Sequence, residues 1–523
     1  RAELDLSNSW SEASWDDRAF SVLENATNVL AADGKTRETG LILLPFSSWD
    51  STSYTYQSGV QIFSFSGSTV TKRGVMQQDS MVTRSFVTNT AAPIGTNLTA
   101  LNLSRAELSL FDVNNPQIPN FKSRLELSPN FAQFITINTG LGTVGARYKS
   151  SDFSWWGSQA NAKREETVEL FPLTNDTQVE SQTAVARLKV PAGSKMYQVA
   201  GRLVLVSSEN QASKVVTTVR VYDLTNLASP QLLSQFVSDQ ISLPMYYYMA
   251  DMAICGWASC GIQSPEVKVV GNKLVFVGQS YEPASANTTA NPPQYNINYS
   301  FQVLNLNDPR KPVLQDTLRM NKDEDSVGVV VQDNRLWVNY KKSLGSTNNN
   351  GEAMAKYFIK PLDISSTGQA SFGKEVNVPG QLMAIKDNQL YCLEYNWQSK
   401  MQEPSLHYLI LQNDLAYLQA SFSLKGNWTN KVVVEGGLVY VGGYQETRGY
   451  EVLTLQVDNN SFTSLSTINT GAYLDLHAVI GSKLVINAGD AYLVYDMSNP
   501  KQALPQAYYA SYAWGSQFSS FNK

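Results

Sequence analysis

EVKVVGNKLVFVG, residues 266–278, decides how the chain is read. Val267, Val269, Val275 and Val277 alternate on either side of Gly271-Asn272, a dipeptide that favours the positive φ angles of a tight turn. Alternation with period two, broken by such a turn, predicts a β-hairpin. The phrase returns as YQVAGRLVLVSS (197–208), VVVQDNRLWVNY (329–340), LMAIKDNQLYCLEY (382–395), KVVVEGGLVYVGG (431–443) and HAVIGSKLVINAG (477–489). A recurring hairpin is the mark of a repeat protein.

A second phrase follows most of the hairpins. It reads LSLFDVNNPQIP (108–119), VRVYDLTNLASPQLL (219–233), FQVLNLNDPRKPVL (301–314) and YLVYDMSNPKQALP (492–505), with YFIKPLDISSTGQ (357–369) as a degenerate copy. An alternating strand ends in Asp or Asn, a turn carrying Pro follows, and another strand departs. Pro is excluded from a central strand, so it marks the turn before an outer one. Each repeat therefore holds four strands, which predicts an all-β protein, a β-propeller of four-stranded blades with long loop insertions. The hairpin marks at Leu203, Leu274, Leu336, Leu390, Leu438 and Leu484 extend more weakly to Leu41, Leu98 and Leu141. Eight blades are expected, with seven and nine as the neighbouring counts, because the first mark lacks a clear inner strand. SQFSSF (516–521) is the candidate to supply it and close the ring.

Residues 1–40 are the least repeat-like and read as an N-terminal arm or cap, with Ser11 or Ser14 as the cap of a short helix near Trp10 and Trp15; residues 41–523 read as the propeller. The largest insertions are 47–58, 149–166, 238–264, 281–296 and 342–356. The third contains PMYYYMADMAICGWASC, whose Tyr246, Tyr247, Tyr248 and Trp257, together with Trp155 and Trp156 of the second, are the candidate interface. Large aromatic side chains in loops either pack on a propeller face or meet another molecule.

Composition excludes several functions. The formal net charge of −5 gives no electrostatic footprint for nucleic acid. No apolar run is long enough to span a bilayer as a helix. Of three cysteines, Cys255 and Cys260 are the candidate disulfide, and Cys392 falls in a strand as a small apolar residue. The only histidines, His407 and His477, fall in strands and read as core or ladder residues; two isolated His do not make a metal site, and no metal or cofactor is expected. NKDEDS (321–326) lacks the alternating oxygen pattern of a Ca²⁺ loop and reads as a solvated turn. Among Glu107, Asp112, Glu266, Asp363 and Glu394 no spacing selects a catalytic pair. Asn-X-Ser/Thr triplets at Asn25, Asn97, Asn102, Asn175, Asn287, Asn298, Asn427 and Asn459 are candidate glycosylation sites.

The V-x-V-Y-D-[LM]-[ST]-N phrase followed by Pro, carried best by VRVYDLTNLASPQLL, VLNLNDPRKPVL and VYDMSNPKQALP, resembles the repeats of bacterial secreted and cell-surface β-propeller proteins. The resemblance covers about residues 190–510. It implies an extracellular, cell-surface or periplasmic location and a non-catalytic, protein-binding or structural role in an envelope assembly, with other surface proteins, or a glycan, as partners. It transfers no catalytic residue. The alternative is an extracellular enzyme with its site in the propeller funnel, either a polysaccharide hydrolase or lyase or a quinoprotein-like dehydrogenase. For the last, AADGKTRETG (31–40) is a single faint copy of the blade motif, and Cys255 and Cys260 are not adjacent.

Overall fold

The computed structural model describes residues 9–14, 16–24, 35, 38–50, 55–67, 69–78, 81–88, 98–104, 107–127, 131–149, 165–173, 183–191, 193–211, 214–241, 266–283, 295–332, 334–347, 353–394, 404–424, 427–445, 449–458, 460–469, 475–487 and 491–510. They form nine antiparallel sheets, each built around four strands paired in chain order, as a β-propeller requires. Blade 5, the reference unit, runs Glu266–Val270, Lys273–Pro283, Tyr295–Asn305, and an outer strand broken into Val313–Leu314 and Leu318–Arg319. The hairpin read from the sequence is in register, with Val269 opposite Leu274 and Val270 opposite Lys273. Gly271 sits at φ 59°, and the equivalent turns use Asn334 and Asp387 at φ 60° and 54°. Gly, Asn and Asp recur there because they tolerate the left-handed backbone that a two-residue hairpin demands.

Blade 1 accounts for the ninth sheet, one more than the eight expected. Its second to fourth strands are Gly40–Asp50, Thr55–Ser66 and Thr69–Gln77. The position beside Gly40–Asp50 is filled by the arm, with Ser9–Trp10 pairing Ser47–Ser48 and Ser21–Glu24 pairing residues 40–43. The candidate closing strand at 516–521 lies outside the described residues. The arm forms two 3-10 turns, Glu12–Ser14 and Asp17–Ala19, rather than one helix. Ser11 caps the first through the Ala13 N–H, and Asp16, not Ser14, caps the second through the Arg18 N–H.

The packing is that of blades around an axis. The first strands of blades 3 to 9, beginning at Phe131, Lys195, Glu266, Asp325, Gln381, Asn427 and Asp475, touch one another in series. Shared apolar clusters join neighbours. Leu41, Ile62, Ala100 and Phe111 link blades 1 and 2, while Val204, Phe276 and Leu304 link blades 4 and 5. Further clusters link 3 to 4, 5 to 6, 6 to 7, 7 to 8 and 8 to 9. Burying one such Leu or Phe is worth about 1.5–3 kcal/mol, so each blade draws stability from the surface it shares with its neighbours.

The second phrase of the sequence does more than turn the chain. In VNNP, LNDP and MSNP the Asp or Asn that ends the third strand accepts from the N–H two residues on, as Asp112 does from Asn114, Asn305 from Asn307 and Asp496 from Ser498. The Ser498 hydroxyl, then Lys483 and the Ser498 N–H, push the Asp496 carboxyl down to about 2. The proline carbonyl that follows is then held by the preceding blade. Gly74 N–H donates to Pro116 O at 3.0 Å, Ser234 Oγ to Pro309 O at 2.6 Å and Ser466 Oγ to Pro500 O at 2.7 Å. Gly74 cannot carry a side chain, because a Cβ would lie 2.5 Å from Gln117 O.

Candidate functional site

Strand order fixes which loops share a face. In each blade the first-to-second and third-to-fourth connections leave at one end (the turn face). The second-to-third connections, and those to the next blade, leave at the other (the loop face). The five insertions expected from the sequence all fall in the second group: 149–166 in blade 3, 238–264 between blades 4 and 5, 281–296 in blade 5, 47–58 in blade 1 and 342–356 in blade 6. In the last two, strand pairing continues to Asp50 opposite Thr55 and to Thr347 opposite Ala353. The connections 88–98 in blade 2 and 173–185 in blade 3 leave at the turn face. Tyr246, Tyr247, Tyr248, Trp257, Trp155 and Trp156, with Cys255 and Cys260, lie outside the described residues. The strands that flank both of their insertions end on this one face.

Beneath that face the blades carry a feature the sequence did not disclose. Buried polar side chains cluster on the third strands: Glu169, Thr217, Ser300 and Gln302, Lys360, His407, then Glu451 and Thr454, each 8% exposed or less. Thr217, His407 and Glu451 sit toward the loop-face end of their strands, Glu169 and Ser300 near the middle, and Gln302, Lys360 and Thr454 in the half nearer the turn face. A period-two pattern marks a residue as inward but does not say that an inward Lys or Glu will find a partner, so these positions read as ordinary alternation.

The deepest group is in blade 6. Lys360 Nζ lies 2.7 Å from Glu324 Oε2 and over the rings of Tyr340 and Phe372, 4.6 and 4.1 Å from their centroids. Glu324 and Lys360 are 2% and 5% exposed, so Glu324, read above within a solvated turn, is instead a buried ion-pair partner. Its carboxylate also accepts from Asn321 N–H, and Asp325 pairs with Lys341 at 3.2 Å. Lys342 and the Tyr340 hydroxyl both donate to Glu375 Oε2. Tyr340's hydrogen bond, then Lys342's, hold the Glu375 carboxyl below its ordinary value; burial, with Glu375 adding to it, pushes the Tyr340 phenol up.

Blade 3 repeats the theme with Glu169 between two arginines, Arg147 at 2.7 Å and Arg187 at 3.0 Å. Burial pushes the Glu169 carboxyl up, but the hydrogen bonds from Arg187 and Arg147 outweigh it and the value falls below 4.5. A carboxylate depressed by folding stabilises the folded state above its unfolded pKa, and that contribution is lost as pH falls through the folded value. Glu169→Gln is therefore expected to flatten the acid limb of stability below about pH 4.5 relative to the parent, read by thermal melts across pH 2.5–6; an unchanged limb would show that the ion pair contributes nothing.

His407 is the ladder residue expected, 8% exposed, with Nδ1 2.8 Å from Ser421 Oγ and Nε2 3.0 Å from Glu394 Oε2. His477 falls in the strand Asp475–Ile480. The remaining carboxylates each have a private partner: Glu107 with Arg124, Asp112 with Lys122, Glu266 with Lys268 and Asp363 with Arg335. Among the described residues no group of three or more His, Cys, Asp or Glu side chains is placed to hold a metal ion. Cys392 is buried and reduced, its thiol pushed up by burial, so it is not a reactive site. Two of the glycosylation candidates, Asn102 and Asn298, are 0% and 7% exposed and lie within strands, which closes them to a glycan in the folded chain.

No known protein family matches the sequence, and no curated protein matches it either. Solved structures resemble it in shape. The periplasmic gluconolactonase PpgL of Pseudomonas aeruginosa aligns over 67% of this chain and 94% of its own, at 11% identity and a TM-score of 0.38. A putative 6-phosphogluconolactonase of Bacteroides fragilis aligns over 68% and 94%, at 10% identity and a TM-score of 0.37. The β-propeller domain of the Trilobed protease of Pyrococcus furiosus aligns over 72% and 94%, at 11% identity and a TM-score of 0.33. At these scores none of them bears on the chemistry of this chain.

Proposed function

We propose that the protein is an exported, non-catalytic propeller that binds a protein partner of a cell-surface or envelope assembly through its loop face. The observation that carries this reading is topological: the longest insertion, 238–264 with its Tyr, Trp and Met, and the Trp-bearing insertion 149–166 are rooted on one face. The ionisable groups beneath that face support it too, since they are consumed in pairs rather than left converging on a common point. Pairing of Cys255 with Cys260 would close a short loop within the third insertion and suits an oxidising compartment.

The test is co-purification from the native source, compared between the parent chain and a variant with residues 245–260 replaced by a short Gly-Ser linker. A stoichiometric companion lost in the variant, with the melting curve unchanged, is the expected result. A companion retained by the variant, or a chain that purifies alone, would remove the loop-face reading.

One arrangement favours the enzymatic alternative. The row Glu394–His407–Ser421 aligns a carboxylate, an imidazole and a hydroxyl, the geometry that activates a serine. Ser421, however, stands on the exposed outer strand Leu415–Ser423 of blade 7, not at the axis. Treating the same preparation with a fluorophosphonate separates the readings, because a catalytic serine would be labelled at Ser421 and a ladder serine would not.

A further inference from the structure

The turn face, opposite the long loops, holds an open cleft of about 780 Å³ between blades 5 and 6. Ligand pockets span roughly 300–1,000 Å³, so the size suits a short polymeric or drug-sized ligand. Its walls are tied together before any ligand arrives. Gly271 N–H donates to Asn334 Oδ1 at 3.2 Å, Asn305 Nδ2 to Thr367 O at 3.0 Å and Asn307 Nδ2 to Ser366 O at 2.8 Å, all bridging blade 5 to blade 6. A preformed cleft spends little binding energy on ordering itself.

The lining has a definite chemistry. Two cations, Lys273 and Arg335, face two carboxylates, Asp316 and Asp363, and Arg335 is paired to Asp363 at 2.9 Å. The charges cancel, so the cleft has no preference for an anion or a cation. Around the rim stand side-chain amides and hydroxyls, with Asp316, Gln369 and Ser371 exposed. Of the apolar side chains in the lining, Ile364 is half-buried, whereas Val270 and Leu362 are 6% and 1% exposed.

We propose that this cleft binds a neutral oligosaccharide. A sugar hydroxyl donates and accepts at once, and neighbouring hydroxyls present both functions side by side. A planar amide or a carboxylate beside an amide meets that pattern. Ile364 offers the C–H face of a ring its apolar contact. A phosphorylated ligand would require surplus positive charge, and a divalent cation more carboxylates than two. A peptide added as a strand would require an open sheet edge, whereas turns enclose this cleft. The site lies on the opposite face from the loops and does not depend on the loop-face reading.

The intact chain would be screened against an array of neutral and anionic glycans. The tightest neutral binder would then be titrated calorimetrically into the parent, Asp316→Ala, Gln369→Ala and, as a control on blade 9, Lys501→Ala. The expected result is binding of a neutral glycan that weakens about tenfold or more in each cleft variant and is unchanged in the control. Binding of anionic glycans alone, binding unaffected by both cleft substitutions, or no glycan binding at millimolar concentration would overturn the proposal.

Discussion

Replacing Lys360 with methionine is expected to destabilise the protein by about 3–5 kcal/mol, the usual cost of removing one partner from a buried ion pair. The reason is Glu324. At 2% exposure it has no water to fall back on, and its nearest remaining cation, Lys342, is 3.8 Å away and engaged with Glu375. Losing the ammonium also empties the space between the Tyr340 and Phe372 rings, though methionine refills most of that volume. The double variant Glu324→Leu/Lys360→Met should recover most of the loss, since replacing both charges with apolar groups is often neutral or better. Urea titration of the parent, both single variants and the double variant measures this as a cycle. If Lys360→Met alone lowered stability by less than about 1 kcal/mol, the pair would have to be solvated, and the buried network described here would be wrong.

Deleting residues 1–24 should lower the melting temperature by about 5 °C or more and promote association. The deletion removes the strands Ser9–Trp10 and Ser21–Glu24 and so uncovers the inner edge of Gly40–Asp50, an unprotected strand long enough to recruit another chain. It also cuts ties between blades 1 and 2, namely Ser21 Oγ to Ser85 O and Asp16 to Arg84 at 3.6 Å, and it removes the fully buried Ala19. Calorimetry with size-exclusion chromatography decides the matter. A deletion variant that melts with the parent and does not associate would show that the arm neither completes blade 1 nor protects its edge.

These expectations rest on features of unequal visibility in the sequence. The hairpin and the Pro-bearing turn were legible because both depend on local grammar: positive φ at Gly271, Asn334 and Asp387, and Asx turns at Asp112, Asn305 and Asp496. From them follow the four-stranded unit and the propeller. The inner strand of blade 1 was not legible, because it comes in two fragments separated by 3-10 turns, too short for any periodicity to register. Nor was Glu324 in NKDEDS, where a run of charges looks solvated; its partner lies 36 residues away on the third strand of blade 6. The cleft between blades 5 and 6 was equally hidden, since each blade contributes only ordinary turn residues to it and the chemistry arises from their meeting.

The clasp onto the proline carbonyl carries a consequence for how such a chain can grow or shrink. Its donor belongs to one blade and its acceptor to the next, as with Ser234 and Pro309 or Ser466 and Pro500. A duplication cut at blade borders would part donor from acceptor at each junction. A segment running from one outer strand to the proline turn of the following blade carries both, and can be copied or lost with its junction intact. The inherited unit is thus offset from the visible one, overlapping two neighbours like a brick laid across a joint.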